Sequence, residues 1–311
     1  MNQTCNTIII TGPTASGKTA LAVRLAAALN GAIISADSRQ VYKNLNIGTG
    51  KDLFEYEVNG TKIPYYLIDV AEVDTHFHLY NYITHFFDAF NAIESQHKLP
   101  IICGGTGLYL DAVLKKLELA AVPNNLALRS KIENLDKEEL IEKLNSYVTK
   151  PEKADLSSHK RLVRAVEIGE YLNNTTIPKV PFVDLNPIIF ALDLPTELRR
   201  NKITARLKHR LENGMIEEVQ QLLQAGISHE RLQFLGLEYQ YISTYLLNEI
   251  SFDEMFLKLE TAIHQYAKRQ MTWFRKMERE QKKIHWLDAT KPMDDILNEV
   301  LAITAVEQNL R

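Results

Sequence analysis

The sequence predicts an α/β fold: a P-loop parallel-sheet core carrying a helical insertion domain. Three observations predict it. Short β-branched runs alternate with amphipathic stretches through roughly the first third of the chain. A phosphate-loop motif joins the first run to the first amphipathic stretch. From about residue 119 the pattern turns charged and helical, and an apolar run resumes only at Ile188.

Each element has a local reason. Thr7-Ile8-Ile9-Ile10 is short, apolar and β-branched, as a buried parallel strand requires. An Ala- and Leu-rich helix follows from about Thr19 to Leu29. Ala32-Ile33-Ile34-Ser35 reads as the second strand and Tyr66-Leu67-Ile68-Asp69-Val70 as the third. Apolar residues at helical spacing run from Tyr80 to Ser95, and Pro100-Ile101-Ile102-Cys103 forms the fourth strand, ending in Gly104-Gly105. Residues 1–118 make the first part of the core, 119–185 the insertion and 186–311 the second part. Within the insertion, Asn124 to about Asn174 is helical in pattern, and Asn173-Asn174 marks a helix end. After the strand Ile188-Ile189-Phe190-Ala191-Leu192 the remainder is expected to be helical, with Ile203, Leu207, Leu211 and Met215 stepping by four along one buried face. There is no internal repeat.

Composition narrows the class. The 311 residues are 45% hydrophobic and 24% charged, the profile of an ordinary soluble globular protein. A net charge of −3 excludes a generally basic nucleic-acid binder, so any RNA contact must come from local basic patches. Cys5 and Cys103 have neither metal-ligand nor CxxC spacing and are expected to be reduced core thiols. No apolar run reaches the length of a membrane span, and the N-terminus lacks a secretory pattern. A cytoplasmic monomer with no membrane partner is expected.

The chemistry-bearing motifs fall at strand ends, where open parallel sheets bind ligands. Gly12-Pro13-Thr14-Ala15-Ser16-Gly17-Lys18-Thr19 fits G-x-x-x-x-G-K-[ST] between a strand and a helix. Its glycines let backbone N–H groups turn toward phosphate oxygens, the helix N-terminus adds partial positive charge, Lys18 brings a cation and Thr19 offers a hydroxyl to Mg²⁺. Asp37-Ser38-Arg39-Gln40 follows the second strand; Asp37 could be a general base, a Mg²⁺ partner or a turn cap. Gly104-Gly105-Thr106-Gly107-Leu108-Tyr109 follows the fourth, where Thr106 could meet a phosphate or cap a helix. Asp69 ends its run like the acidic residue of a Walker B site, or simply bonds nearby backbone.

Together these blocks resemble the tRNA dimethylallyltransferase, or tRNA isopentenyltransferase, family. GPTASGKT, ISADSRQVYKNLNIGTGK, YYLIDV, LPIICGGTGLYL, HKRLVRAVE and AKRQMTWFRK occur in the family's order from Ile10 to about Lys276. The resemblance implies transfer of a dimethylallyl group from dimethylallyl diphosphate to N6 of the adenosine 3′ of the tRNA anticodon. It implies that the P-loop, Lys18 and Thr19 with Mg²⁺ hold the diphosphate. Asp37 would take the N6 proton, and Thr106 would meet the bridging oxygen. Asp37, Ser38, Arg39 and Gln40 would lie against the flipped base. Arg129 and Lys160-Arg161-Leu162-Val163-Arg164 would contact the anticodon arm; the plain alternative for these cations is a solvated, ion-paired helix face.

A second basic stretch, with Lys268, Arg269, Arg275, Lys276, Arg279, Lys282 and Lys283, could meet RNA phosphates, while Trp273 and Phe274 within it are expected in the core. The chain also departs from the family. Leu235-Gly236-Leu237-Glu238-Tyr239-Gln240-Tyr241 stands where a Gly-Tyr-Arg-Gln block is common, so Glu238 or Gln240 replaces an arginine near the diphosphate. Ile263-His264-Gln265 stands for Thr-Arg-Gln, and no Cys/His zinc finger follows the core. Three other readings compete: a small-molecule kinase, a prenyltransferase of free adenine nucleotides, and a non-catalytic nucleotide-dependent RNA-binding module.

Overall fold

The computed structural model describes residues 5–151, 155–180, 182–280 and 282–309. Its chain separates into two compact units, Met1–Leu114 with Val183–Arg311, and Lys115–Phe182. The strands are β1 (Thr7–Thr11), β2 (Gly31–Ser35), β3 (Glu57–Val58), β4 (Thr61–Lys62), β5 (Tyr65–Tyr66), β6 (Leu99–Cys103), β7 (Pro187–Asp193) and β8 (Ile284–Asp288). The helices of the larger unit are α1 (Lys18–Ala28), α2 (Leu79–Ser95) and α3 (Gly107–Leu114), then α7 (Thr196–Glu212), α8 (Met215–Gln224), α9 (His229–Leu232), α10 (Leu237–Leu246), α11 (Phe252–Arg279) and α12 (Met293–Asn309). The smaller unit holds α4 (Leu126–Ile132), α5 (Lys137–Ser146) and α6 (His159–Asn174).

Six strands form one parallel sheet in the order β5-β2-β6-β1-β7-β8. β1 lies inside it, and every one of its five residues is buried. Ile8 and Ile10 pack with Leu21 and Leu25 of α1 and with Ile296 and Val300 of α12. Ile9, between them, faces the other way and is equally buried, so both faces of the sheet are covered. Each such isoleucine contributes about 1.5–3 kcal/mol of burial. Cys103 is buried and Cys5 half-buried beside the same core.

Three sequence expectations need correction. The third strand is only Tyr65–Tyr66; Leu67 and Asp69 take left-handed φ values of 63° and 57°, which break the pleat. The face expected from Ile203 to Met215 splits: α7 ends at Glu212, Gly214 turns the chain at φ 96°, and Met215 begins α8. The last third is not wholly helical, because β8 adds a parallel strand beside β7. Ile284-His285-Trp286-Leu287-Asp288 was hidden by its polar residues, which an edge strand tolerates on its half-exposed side. The small β3-β4 hairpin also went unread, although Asn59-Gly60, with φ values of 50° and 76°, is a strong turn signal.

The smaller unit has its own core, built from Ile132, Leu140, Leu144, Leu162 and Val166. At its edge Glu167, with only 1% of its side chain exposed, is gripped by two arginines. Arg129 donates Nε and one terminal nitrogen at 3.0 and 2.9 Å, and Arg164 donates at 2.5 Å. Burial alone would raise the Glu167 carboxyl; the bonds from Arg129, the Asn125 N–H and Arg164 outweigh it and hold it below the usual range.

This geometry sorts the residues of the helix expected to face RNA. Leu162 and Val163 are buried, and their side chains pack the unit's core. Arg164 turns inward, also donating to Val122 O at 2.6 Å. Lys160 and Arg161 are the exposed cations, Arg161 bonding Asp155 at 2.6 Å. Arg164→Glu is therefore expected to place a carboxylate against Glu167 and to destabilise this unit by about 3–5 kcal/mol, the range for breaking a buried pair. Hydrogen exchange across residues 115–182 measures it; unchanged protection would mean the pair carries no stability.

Candidate active site

The P-loop takes its shape from three left-handed positions: Gly12 at φ 145°, Ala15 at 62° and Gly17 at 87°. At Gly12 the space matters as well, because a Cβ would lie 2.8 Å from Leu192 O. Lys18 folds back to donate to Pro13 O at 2.8 Å. Burial lowers its ammonium to about pH 8, with Arg206 adding repulsion and the neighbouring Cys103 and Asp37 opposing the shift. The Cys103 thiol, enclosed beside it, is pushed up to about 12 by burial. Ser16 is buried, packed near Gly12.

A cavity of about 310 Å³ opens over the loop and is lined by Thr14, Ala15, Gly17, Lys18 and Thr19. Asp37, Gln40, Lys202, Arg206 and Gln270 complete much of its wall, with Asp52 and Glu55 on the acidic side. A second cavity of about 350 Å³ is lined by Asp37, Ser38, Arg39, Arg210, Glu238 and Arg269, among others. Thr14, Asp37, Thr49, Arg206 and Tyr266 belong to both walls. Two small chambers therefore share one boundary, and that boundary carries a carboxylate and a guanidinium.

Asp37 stands at this boundary in a defined orientation. Its Oδ1 accepts from the Arg39 N–H at 2.8 Å and the Gln40 N–H at 3.4 Å. One oxygen thus caps the turn, so the cap reading and a chemical role for the other oxygen are compatible. Thr106 lines neither chamber itself. Its Oγ1 accepts from the Ser38 N–H at 3.1 Å, and its hydroxyl hydrogen-bonds Tyr266, which does line both. Ser38 and Arg39 face the second chamber, whereas Gln40 faces the first and donates to Gly50 O at 3.1 Å. Asp69, the candidate Walker-B-like residue, is taken by an ion pair with buried Lys51, which also bonds Tyr42 O.

Several site residues were not singled out from the sequence. Gln270, the glutamine of AKRQ, accepts from the Thr14 N–H at 2.8 Å and donates to Gly105 O at 2.9 Å, tying the P-loop to the glycine-rich turn. A side chain at Gly105 would collide with it at 2.2 Å. Arg206, reaching in from α7, hydrogen-bonds the Thr14 hydroxyl; burial lowers its guanidinium to about 10, with Arg210 repelling it. Arg206 and Arg210 of α7 thus bring guanidinium groups to the same chamber that Glu238 and Gln240 line. Glu238 itself lines the second chamber, and burial raises its carboxyl against the pull of Arg210 and Arg206. Ile263 also lines that chamber, while His264 faces a different cleft. Phe274 is fully buried, as expected; Trp273 is half-buried, pressed against Gly107 where a Cβ would meet it at 2.4 Å.

The wall between the chambers is clamped from behind. Glu218 of α8 accepts from three successive N–H groups, Asn46 at 2.9 Å, Ile47 at 2.7 Å and Gly48 at 3.1 Å, and from the Tyr239 hydroxyl at 2.7 Å. Arg210 presses on Gly50, where a Cβ would lie 1.8 Å from its terminal nitrogen. Only interhelical packing could reveal this buried charge among surface-like sequence.

The first chamber is lined by oxygen donors, the Thr19 hydroxyl and, apart from one another, the carboxylates of Asp37, Asp52 and Glu55, the donor type that a hard divalent cation such as Mg²⁺ takes. Among the described residues no three carboxylates, histidines or cysteines converge on a common point, so substrate oxygens and water would complete the coordination.

Comparison with known proteins places this architecture. The sequence profile described as IPP transferase matches residues 40–277. The chain is 50% identical over 293 residues to tRNA dimethylallyltransferase 2 of Bacteroides fragilis, covering 94% of this chain and 96% of that protein. It is 46% identical over 296 residues to tRNA dimethylallyltransferase 1 of Parabacteroides distasonis, covering 95% and 96%. The crystal structure of the full-length tRNA isopentenylpyrophosphate transferase from Bacillus halodurans superposes with a TM-score of 0.69 at 27% identity, covering 98% of this chain and 97% of that one. A P-loop joined to its glycine-rich turn by Gln270, two chambers meeting at Asp37, and this likeness along nearly the whole chain lead to one conclusion: the protein belongs to the IPP transferase family.

Proposed function

We propose that this enzyme transfers a dimethylallyl group from dimethylallyl diphosphate to N6 of the adenosine 3′ of a tRNA anticodon, releasing diphosphate. The observation that carries the reading is the shared boundary of the two chambers, where Asp37 and Arg206 face both sides. The relatives' names, tRNA dimethylallyltransferases, supply the prenyl group and tRNA.

Diphosphate sits in the P-loop chamber, held by the loop's N–H groups, Lys18 and Arg206. Thr19 would hold Mg²⁺ there, which supplies charge neutralisation to the diphosphate. The adenine, extruded from its stack, occupies the second chamber beside Ser38 and Arg39. N6 attacks C1 of the donor; the N6–C1 bond forms as the C1–O bond breaks, the electron pair leaves with diphosphate, and the N6 proton passes to Asp37. Preorganised cations at the leaving oxygen provide the main stabilisation. Thr106 acts through Tyr266 and the Ser38 backbone more directly than on the bridging oxygen. The enzyme works in the cytoplasm; among the described residues no helix is long and apolar enough to cross a membrane. Lys160 and Arg161 are the insertion's cations that meet the anticodon arm, with Arg129 and Arg164 shaping that surface through Glu167.

Nucleoside mass spectrometry of tRNA incubated with the protein, Mg²⁺ and dimethylallyl diphosphate tests this. A prenylated adenosine is expected on tRNA and none on free adenine nucleotides, and ATP in place of the donor should give no phosphoryl transfer. Product on free nucleotides alone would make the enzyme a nucleotide prenyltransferase.

A further inference from the structure

Behind the wall that the two chambers share lies a carboxylate with a seat built for it. Glu218 is 8% exposed and stands in the first turn of α8, where the helix dipole favours a negative charge. Its Oε2 accepts from the Asn46 and Ile47 N–H groups, and its Oε1 from the Gly48 N–H and the Tyr239 hydroxyl. Successive N–H groups that converge in this way form an anion seat, and here the protein fills the seat itself. An apolar residue at 218 would strand three backbone donors, so the charge serves the segment it holds.

That segment, residues 46–50, belongs to both chambers. Gly48 lines the second chamber, Gly50 the first, and Thr49 both. Its two glycines lie directly against Tyr239 and Arg210. A Cβ at Gly48 would meet the Tyr239 ring at 2.7 Å, and one at Gly50 would meet Arg210 at 1.8 Å. The segment also reaches Asp37. Gly50 O accepts from Gln40 Nε2 at 3.1 Å, and Gln40 Oε1 accepts from the Ser35 hydroxyl at 3.3 Å. The N–H of the same Gln40 donates to Asp37 Oδ1 at 3.4 Å. A continuous run of hydrogen bonds and backbone therefore leads from Glu218, through residues 46–50 and Gln40, to the oxygen by which Asp37 is oriented.

We propose that Glu218 is a positioning residue for the transfer: it fixes residues 46–50 and, through Gln40, the angle at which Asp37 meets the acceptor nitrogen. This rests on the reading that Asp37 takes the N6 proton. Glu218 touches neither substrate, so it acts on the rate of the chemical step and leaves donor and RNA affinity alone. A misplacement of about 1 Å at the reacting centre costs up to about 100-fold in rate. The diphosphate, by contrast, is held by the P-loop, Lys18 and Arg206, none of which bonds Glu218.

The test uses the full-length protein with dimethylallyl diphosphate, Mg²⁺ and an anticodon stem-loop RNA. The variants are Glu218→Gln, Asp37→Asn, the two combined, and Leu222→Ala, which removes a buried apolar side chain one turn further along α8 and no hydrogen bond to the segment. In glutamine only one terminal atom accepts, so at least one backbone N–H is left facing an amide NH₂. Single-turnover transfer is measured per folded active site, donor affinity by calorimetry, stability by thermal denaturation and amide exchange at residues 46–48 by mass spectrometry. Glu218→Gln should slow single turnover by about 10- to 100-fold, with donor affinity unchanged and faster exchange at residues 46–48. In the Asp37→Asn background the same change should cost less than about threefold, because the group being positioned is no longer a base. Leu222→Ala should lose thermal stability and keep its rate per folded molecule. A full-speed Glu218→Gln, an equal loss in both backgrounds, or a matching slowdown in Leu222→Ala overturns the proposal. If Glu218→Gln does not fold, Glu218→Asp, shorter by one methylene, is read in the same way. Asp37→Asn at the wild-type rate would sink the base reading and the proposal with it, whereas a slow Asp37→Asn beside a full-speed Glu218→Gln overturns the proposal alone.

Discussion

Lys18→Ala is expected to abolish detectable prenyl transfer, a loss on the order of 10²-fold or more in kcat/KM. The side chain is enclosed in the P-loop chamber, and its only direct partner among the described residues is Pro13 O. Its strongest interaction is therefore reserved for an anion. Removing the cation weakens donor binding and also raises the barrier to departure, because the leaving oxygen gains its charge there. The lowered pKa adds a pH signature. With an ammonium at about 8, the free enzyme loses this charge as pH rises through that value, and an anionic donor binds the charged form better. Wild-type donor affinity should fall above about pH 8, and this component should vanish in the alanine variant. Calorimetry with dimethylallyl diphosphate at stepped pH measures both; near-normal turnover in the variant would remove the P-loop from the donor site.

Asp37→Asn is expected to slow single-turnover chemistry by roughly 10²–10⁴, the contribution of a positioned base. The structure makes this substitution a clean one. Oδ1 of Asp37 only accepts, from the N–H groups of Arg39 and Gln40, and an asparagine carbonyl can accept the same pair. The turn should keep its shape while the second oxygen, the proton acceptor, becomes an amide. RNA affinity should stay near the wild-type value, since phosphate contacts supply most of it. Collapse of RNA binding with chemistry preserved would make Asp37 a recognition residue only. Rapid-quench measurement of prenylated RNA, beside an equilibrium binding assay, separates the two outcomes.

Much of this site was legible in the sequence because its parts are local. A P-loop is eight consecutive residues between a strand and a helix, and Asp37 and Gly104-Gly105 follow immediately on strands β2 and β6. Parallel pairing brings those ends to one edge without needing any long-range contact to be guessed. Arg206, Gln270, Tyr266 and Glu218 were not legible in that way. They come from helices α7, α8 and α11, and nothing local distinguishes Arg206 from Arg199, because only packing sets the direction in which each side chain points.

By itself the sequence determined the alternation of β1, α1, β2 and β6, the phosphate loop and the placing of Asp37 just past the end of β2, because short-range sterics and hydrophobic period decide these. Tertiary structure decided the rest. It turned Arg164 inward onto Glu167 while leaving Lys160 and Arg161 exposed, paired Asp69 with Lys51, and brought Arg206 to the boundary of the two chambers. Each of those outcomes turns on whether a charge finds a partner once water is excluded, and that depends on neighbours brought together only by packing.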